Sequence, residues 1–380
     1  MKKFQRILAT VVALAIVLLL PAQLFAENEA NEALNIAIVT SPSGVDDGSF
    51  NQDNYEGVLA FLENYPDAKV QTVRELDVNN SIPAVESIVA DYDVVVVPGF
   101  QFAGIGQIAI DNPDKKFILV DSFPTVDGEE QAVDNIYAMY FAEEESGFFA
   151  GVAAALESDS DKVAVVNGIA YPSNVNYQFG FEAGVAYANK HFDTEVEIVE
   201  IAGKSGTDVR GIDVGGNYVG TFDDEAAGKQ LAEDLLAEGV DVIFVAAGGS
   251  GNGVFTAVKE HGDAYVIGCD VDQYDDGAHG DDNVVLTSAL KVMHLNVERQ
   301  LTAIAEGEFE GGNFTLGADS DSTGIVTEDD RQQLDDDTIE VLEQIYELVK
   351  DGTIDPPNNF SETTIEDFVG LDVELDDIDD

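Results

Sequence analysis

Short, nearly continuous apolar runs recur along this chain, each closed by a polar or glycine-containing turn. Residues 34–40, 92–98 and 116–121 form a first series. Residues 162–167, 196–201, 240–245 and 265–268 form a second. Runs without strict alternation suit strands buried on both faces of a parallel sheet. Between them, helical patterns cover 51–64, 100–111, 143–156, 179–190 and 223–238. Strand alternating with helix predicts an α/β protein with parallel sheets. The strands are too many for one ordinary sheet, and the polar stretch 125–134 separates the two series. Two doubly wound lobes are expected, with a ligand cleft at the carboxyl ends of their strands.

The first 26 residues follow another pattern. Lys2, Lys3 and Arg6 precede an apolar run over 7–20, Pro21 breaks it, and Leu24, Phe25 and Ala26 end on a small residue. This is the order of a secretory signal peptide. At about 14 residues the run is shorter than the roughly 20 needed to span a bilayer. An uncleaved anchor is the alternative. The expectation is an exported protein on the outer side of the cytoplasmic membrane, periplasmic or at the cell surface.

Length and charge narrow the classes. The 380 residues suffice for two lobes with a large core. The single cysteine, Cys269, cannot form an internal disulfide and reads as a small core residue. There are 75 acidic and 17 basic residues, a net charge of −58. That charge argues against nucleic acid and anionic lipid as partners. It also suggests a protein adapted to high salt, where self-repulsion is screened. Residues 358–380 are expected to form an acidic, disordered tail.

Candidate chemistry lies at the predicted strand ends. After the first strand comes Asp46-Asp47-Gly48-Ser49-Phe50-Asn51, with Ser49 placed to cap a helix. Phe50 there is either a hydrophobic staple or a stacking platform for a flat ligand. Asp121 ends a strand, free to cap a turn or to accept from a ligand. Phe222 precedes a helix, and the turn around Gly249 follows a strand, where glycine lets backbone approach a ligand. Asp270 and Lys291 close two further strands. They form either a structural ion pair or a pair that holds a vicinal diol, the carboxylate accepting and the ammonium donating. The histidines show no zinc spacing. A calcium loop over 319–330 matches only in part, with Asp in place of the terminal Glu, and a solvated turn is the preferred reading. No catalytic constellation, metal site or cofactor motif is expected.

Seven segments together resemble one family. They are Asp46-Asp-Gly-Ser-Phe-Asn-Gln52, Gly147-Phe-Phe-Ala-Gly-Val-Ala-Ala154, Gly180-Phe-Glu-Ala-Gly-Val185, Tyr218-Val-Gly-Thr-Phe-Asp-Asp224, Val245-Ala-Ala-Gly-Gly-Ser-Gly-Asn-Gly-Val-Phe255, Gly268-Cys-Asp-Val-Asp-Gln273 and Ser288-Ala-Leu-Lys291. In this order they are similar to the basic membrane protein (BMP) family, the substrate-binding proteins of ABC transporters that include purine nucleoside receptors. The resemblance implies a type I periplasmic-binding fold, two lobes joined by a three-strand hinge. The implied lobes are 34–124 plus 270–312, and 125–269 plus 313–357. Phe50 and Phe222 would sandwich a base, and Asp47 and Asn51 would read its edge. Asp121, Gly249, Asp270 and Lys291 would hold the ribose or its surroundings.

Tyr177 and His294 depart from the residues usual in the family, and His294 is expected to be neutral and structural. The signal region holds no cysteine, so a lipid anchor is not expected. The resulting expectation is a monomeric binding protein that passes a purine nucleoside to a permease. The alternatives are the same fold holding another small solute, a sensory receptor, or, least favoured, a nucleoside hydrolase.

Overall fold

The computed structural model describes residues 33–369 except Asp193 and Glu362. The expected signal peptide and the last eleven residues of the expected tail lie outside the described residues.

The strands are β1 (Asn35–Thr40), β2 (Lys69–Arg74), β3 (Val94–Pro98), β4 (Lys116–Val120), β5 (Ile136–Phe141), β6 (Lys162–Asn167), β7 (Glu197–Ile198), β8 (Asn217–Tyr218), β9 (Val242–Ala246), β10 (Tyr265–Asp270), β11 (Val285–Lys291), β12 (Gly312–Leu316) and β13 (Thr323–Ile325). The helices are α1 (Phe50–Asn64), α2 (Ser81–Ile88), α3 (Gly106–Asp111), α4 (Glu143–Glu157), α5 (Pro172–His191), α6 (Glu225–Ala237), α7 (Gly251–His261), α8 (Met293–Glu306), α9 (Asp336–Lys350) and α10 (Ile365–Val369). Three short hairpins lie apart from the two main sheets.

The first main sheet has the order β12-β5-β4-β3-β1-β2, all parallel. The second runs β8-β6-β9-β10-β11-β13, with β7 also on β6, and only β13 is antiparallel to its neighbour. The strand order of each sheet thus reverses at one point, between β1 and β3 in one and between β6 and β9 in the other. That reversal opens a crevice at the strands' carboxyl ends.

Alternate residues of one strand serve opposite faces. Ile36 and Ile38 pack with Val58 and Phe61 of α1 and Leu301 of α8. Ala37 and Val39 pack with Val85 of α2 and Ala109 of α3. In the second sheet Val163 and Val165 meet Phe148 and Phe181. Ala164 and Val166 meet Leu231, Leu235 and Val254.

Two of the seven motif segments build this core rather than the site. Helices α4 and α5 touch backbone to backbone. A Cβ on Gly151 would lie 2.2 Å from the Phe181 carbonyl oxygen, and one on Gly180 would lie 2.1 Å from that of Glu144.

Pairing corrects the expected lobe boundaries. β5 pairs with β4 and so belongs to the first sheet, although it falls within 125–269 of the expected second lobe. β11 pairs with β10 in the second sheet, although it falls within 270–312 of the expected first lobe. β12 returns to β5 in the first sheet. The chain therefore passes between the sheets near Ala142, Val292 and Gly317. These crossings adjoin, since Ala142 N–H donates to the Leu316 carbonyl at 3.0 Å and Val292 N–H to that of Ser322 at 2.9 Å.

The expected disorder of 358–380 is also corrected for its described part. The Asn358 amide donates to Glu144 Oε1 at 2.7 Å. Phe368 is buried, its ring centroid 5.5 Å from that of Phe148. Apolar anchoring outweighs the acidic composition here. In the segment considered for calcium, 323–325 forms β13 and Asp321 pairs with Lys350. Among the described residues no three His, Cys, Asp or Glu side chains are grouped to hold a metal ion.

Candidate functional site

One cavity collects the carboxyl ends of strands from both sheets. It takes in about 560 Å³, counting the open solvent at its mouth. Seven of the eight expected site residues line it: Asp47, Phe50, Asn51, Asp121, Phe222, Asp270 and Lys291. Gly249 does not. Its neighbour Gly248 faces the cavity, while the Gly249 backbone packs against the Phe222 carbonyl. Gly248 has φ +52°, a conformation that suits glycine and turns its own backbone toward the site.

The loop after β1 builds one wall. Asp47 is buried, and its two oxygens accept four bonds: Oδ1 from the N–H groups of Ser49 (3.2 Å) and Gln52 (3.1 Å), Oδ2 from the N–H (3.1 Å) and side-chain amide (2.7 Å) of Asn51. Asp47 therefore satisfies the start of α1, the role expected of Ser49. Burial raises its pKa, partly offset by the bonds it accepts from Gln52 and Asn51. All four bonds are made within the protein, and two of them hold Asn51. Asn51 also donates to Ser41 Oγ at 3.0 Å, while its buried Oδ1 has no partner.

Ser49 instead reaches across to the other sheet. Its hydroxyl donates to Asp270 Oδ2 at 2.8 Å. Ser43 Oγ likewise donates to the Phe222 carbonyl at 3.0 Å. These bonds join the first sheet's opening loop to the ends of the second.

Lys291 is the centre of the site. Only 2 % of its side chain is exposed, and its Nζ lies 2.7 Å from Asp121 Oδ2, 3.5 Å from Glu143 Oε1 and 3.6 Å from Asp270 Oδ1. Burial alone would lower the lysine's pKa, but the acidic groups around it, Asp121 and Asp270 before Glu143, outweigh it and raise the pKa. Burial raises the pKa of Asp121, against the pull of Lys291. Asp121 and Asp270 both adopt left-handed backbone, φ 60° and 71°. Non-glycine residues there carry strain, and such strain clusters where side chains must be aimed for function. Asp121 Oδ1, buried, has no partner.

The aromatic residues come from both walls. The Phe50 ring centroid lies 4.9 Å from Lys291 Nζ, within cation–π range. Phe222 lies beside Gly168, where a Cβ would come within 2.2 Å of the ring, and joins Tyr171 and Phe100 in an aromatic row. Tyr177 lines the cavity and its hydroxyl donates to Asp270 Oδ1 at 3.1 Å, so it has a positioning role that its departure from the usual family residue put in doubt. Phe100, Tyr171, Ser173 and Asn174 were missed. Pro172 at the start of α5 is the signal that would have placed Tyr171 and Ser173 at a helix entrance. The expectation for His294 is revised. Its Nδ1 lies 2.7 Å from Asp53 Oδ1, and that bond raises its pKa.

Two doubly wound sheets with a cavity at their facing strand ends have the architecture of the type I periplasmic-binding fold. Similar architecture is present in an ABC transporter solute-binding protein from Aeropyrum pernix, with TM-score 0.66, 24 % identity, and coverage of 89 % of this chain and 84 % of that one.

The profile of the Bmp family, ABC transporter substrate-binding protein PnrA-like, matches residues 34–210 and 208–358, and the chain belongs to that family. The CD4+ T-cell-stimulating antigen of Listeria monocytogenes is 30 % identical over 349 residues, covering 87 % of this chain and 89 % of that protein. The ABC transporter nucleoside-binding protein BmpA of Lactococcus lactis is 29 % identical over 303 residues, covering 74 % of this chain and 78 % of its own. The protein is thus an ABC transporter substrate-binding protein and not an enzyme. Among the described residues no helix is long and apolar enough to cross a membrane.

Proposed function

We propose that this protein captures a purine nucleoside in the cleft between its two sheets and delivers it to an ABC permease. The observation that carries the reading is the combination within one cavity of Phe50, Phe222 and two buried acceptors without partners, Asn51 Oδ1 and Asp121 Oδ1. A buried acceptor left unpaired costs about 1–3 kcal/mol, so a fitting ligand must bring donors to both. A purine nucleoside brings an N–H edge, ribose hydroxyls and a flat face for the rings. The nucleoside-binding relative from Lactococcus lactis supports the same ligand class.

Lys291 takes a different part from that implied by the resemblance. Its ammonium is flanked by three carboxyl groups. In this reading the ammonium holds the Asp121 and Asp270 side chains in place, and their oxygens accept from the ribose. The protein works as a monomer on the outer side of the membrane, its two sheets closing on the ligand as the chain bends at the three crossings.

Calorimetric titration in high salt with adenosine, guanosine and inosine, against free bases, ribose and common sugars, tests the reading. Nucleosides should bind more tightly than either of their halves. At 100 times its dissociation constant, a bound nucleoside should add about 2.7 kcal/mol to stability. Binding of a sugar with no response to any nucleoside would overturn the proposal.

A further inference from the structure

The Lys291 cluster holds three buried carboxyl groups against one ammonium. Fully ionised it would carry one positive and three negative charges, a net −2, in a place sheltered from water. Uncompensated buried charge is costly enough that such a group takes up a proton instead.

The three carboxyls are not equivalent. Asp121 makes the short contact, at 2.7 Å, within the range of charge-assisted bonds. Asp270 also accepts from Ser49 and Tyr177. Glu143 has neither advantage. It is fully buried, its contact with Lys291 is 3.5 Å, and its Oε2 has no partner. It does not line the cavity. It begins α4, directly after the first crossing between the sheets, while Lys291 ends β11 directly before the second.

We propose that Glu143 is the positioning residue for Lys291 and that it performs this role as a neutral acid. It supports the ammonium from outside the cavity, and its bound proton reduces the cluster's charge to −1. Asp121 and Asp270 are thereby left as the acceptors that face the ligand. The role rests on the nucleoside reading above. The groups around Glu143 agree with it. Besides Lys291, Asp121 and Asp270, they are Glu144 on the same helix, Tyr140 of β5 and Tyr177 of α5. Lys291 is the one cation among them. Burial, then Asp121 and Glu144, raises the Glu143 pKa well above the ordinary carboxyl value, against the pull of Lys291.

As pH rises through that elevated value, Glu143 ionises, the cluster gains a second negative charge, and closure around Lys291 weakens. Nucleoside affinity should therefore fall at alkaline pH for a reason that Glu143→Gln removes.

Two measurements test this on the full chain. The first needs no ligand: the infrared difference spectrum of wild type minus Glu143→Gln at neutral pH should contain the carbonyl stretch of a protonated carboxylic acid. Only a carboxylate band there would overturn the proposal. The second is the calorimetric affinity for inosine, adenosine and guanosine from neutral to alkaline pH. Glu143→Gln should hold one affinity from neutral to alkaline pH, whereas wild type loses affinity across that range. Glu143→Ala, checked for folding by circular dichroism, should lose about tenfold or more, equivalent to 1.4 kcal/mol. Identical pH profiles for wild type and Glu143→Gln would overturn the proposal. If no nucleoside binds, the nucleoside reading fails, and the infrared band still decides the state of Glu143.

Discussion

Removing the Lys291 ammonium would leave Asp121, Asp270 and Glu143 buried without their shared cation. Lys291→Met should lower stability at neutral pH by about 3–5 kcal/mol, the usual effect of deleting one partner of a buried pair. Urea melts of both proteins measure it, and an unchanged midpoint would contradict the central role given to this side chain. A neighbouring residue makes a prediction with a definite pH sign. Burial, opposed by the Asn358 bond, pushes Glu144 up to about 7 from the ordinary 4.5. A carboxyl whose folded pKa is raised binds more protons folded than unfolded, so its stabilisation is complete below about 4.5 and is lost as pH rises through about 7. Glu144→Gln should remove that loss. The variant should gain on wild type above neutral pH by about 3 kcal/mol at most, read from urea melts across pH. Of the residues discussed at this scale, Phe50, Phe222 and Asp270 could be singled out in the sequence because each sits at a strand end or at the entrance to a helix. Their geometry could not. Nothing in the sequence says that Asp47 is saturated by the start of α1, or that Asn51 is left with a free oxygen, because both facts depend on where the loop after β1 turns.

At the scale of elements, the contact between α4 and α5 is set by small residues. A methyl at Gly151 would meet the Phe181 carbonyl, so Gly151→Ala should force the helices apart. The expected cost is about 1–3 kcal/mol, typical of overpacking, and should appear in thermal melts. Nucleoside affinity should fall with it if the shift reaches Tyr177, which α5 holds against Asp270. Ligand stacking belongs to the same scale, since Phe222 follows β8 and Phe50 begins α1. Phe222→Ala should weaken nucleoside binding by about 1–3 kcal/mol, the range for loss of one stacked aromatic, measured by calorimetry. The buried strands were legible because their Val and Ile runs are continuous, as in β3 and β9. β2, Lys-Val-Gln-Thr-Val-Arg, escaped because it is an edge strand with much of its length exposed. The 196–201 run shortened to two paired residues, β7, because only Glu197 and Ile198 find partners on β6.

At the scale of the molecule, the net charge of −58 dominates the response to salt. At molar ionic strength the Debye length falls to about 3 Å, so repulsion between exposed carboxylates fades. Urea melts should show higher stability in molar NaCl than in dilute buffer, and equal stability would argue against a high-salt adaptation. The sequence by itself determined the α/β class, the family and seven of the residues that line the cavity, because buried strands and their end residues leave local signatures. Tertiary structure decided which sheet received β5, β11 and β12. Strand partners are chosen by long-range pairing, and no short window of sequence records it. It also decided that Lys291 faces three carboxyl groups rather than one, since Asp121, Glu143 and Asp270 are distant in the chain and meet only where the crossings bring the two sheets' ends together.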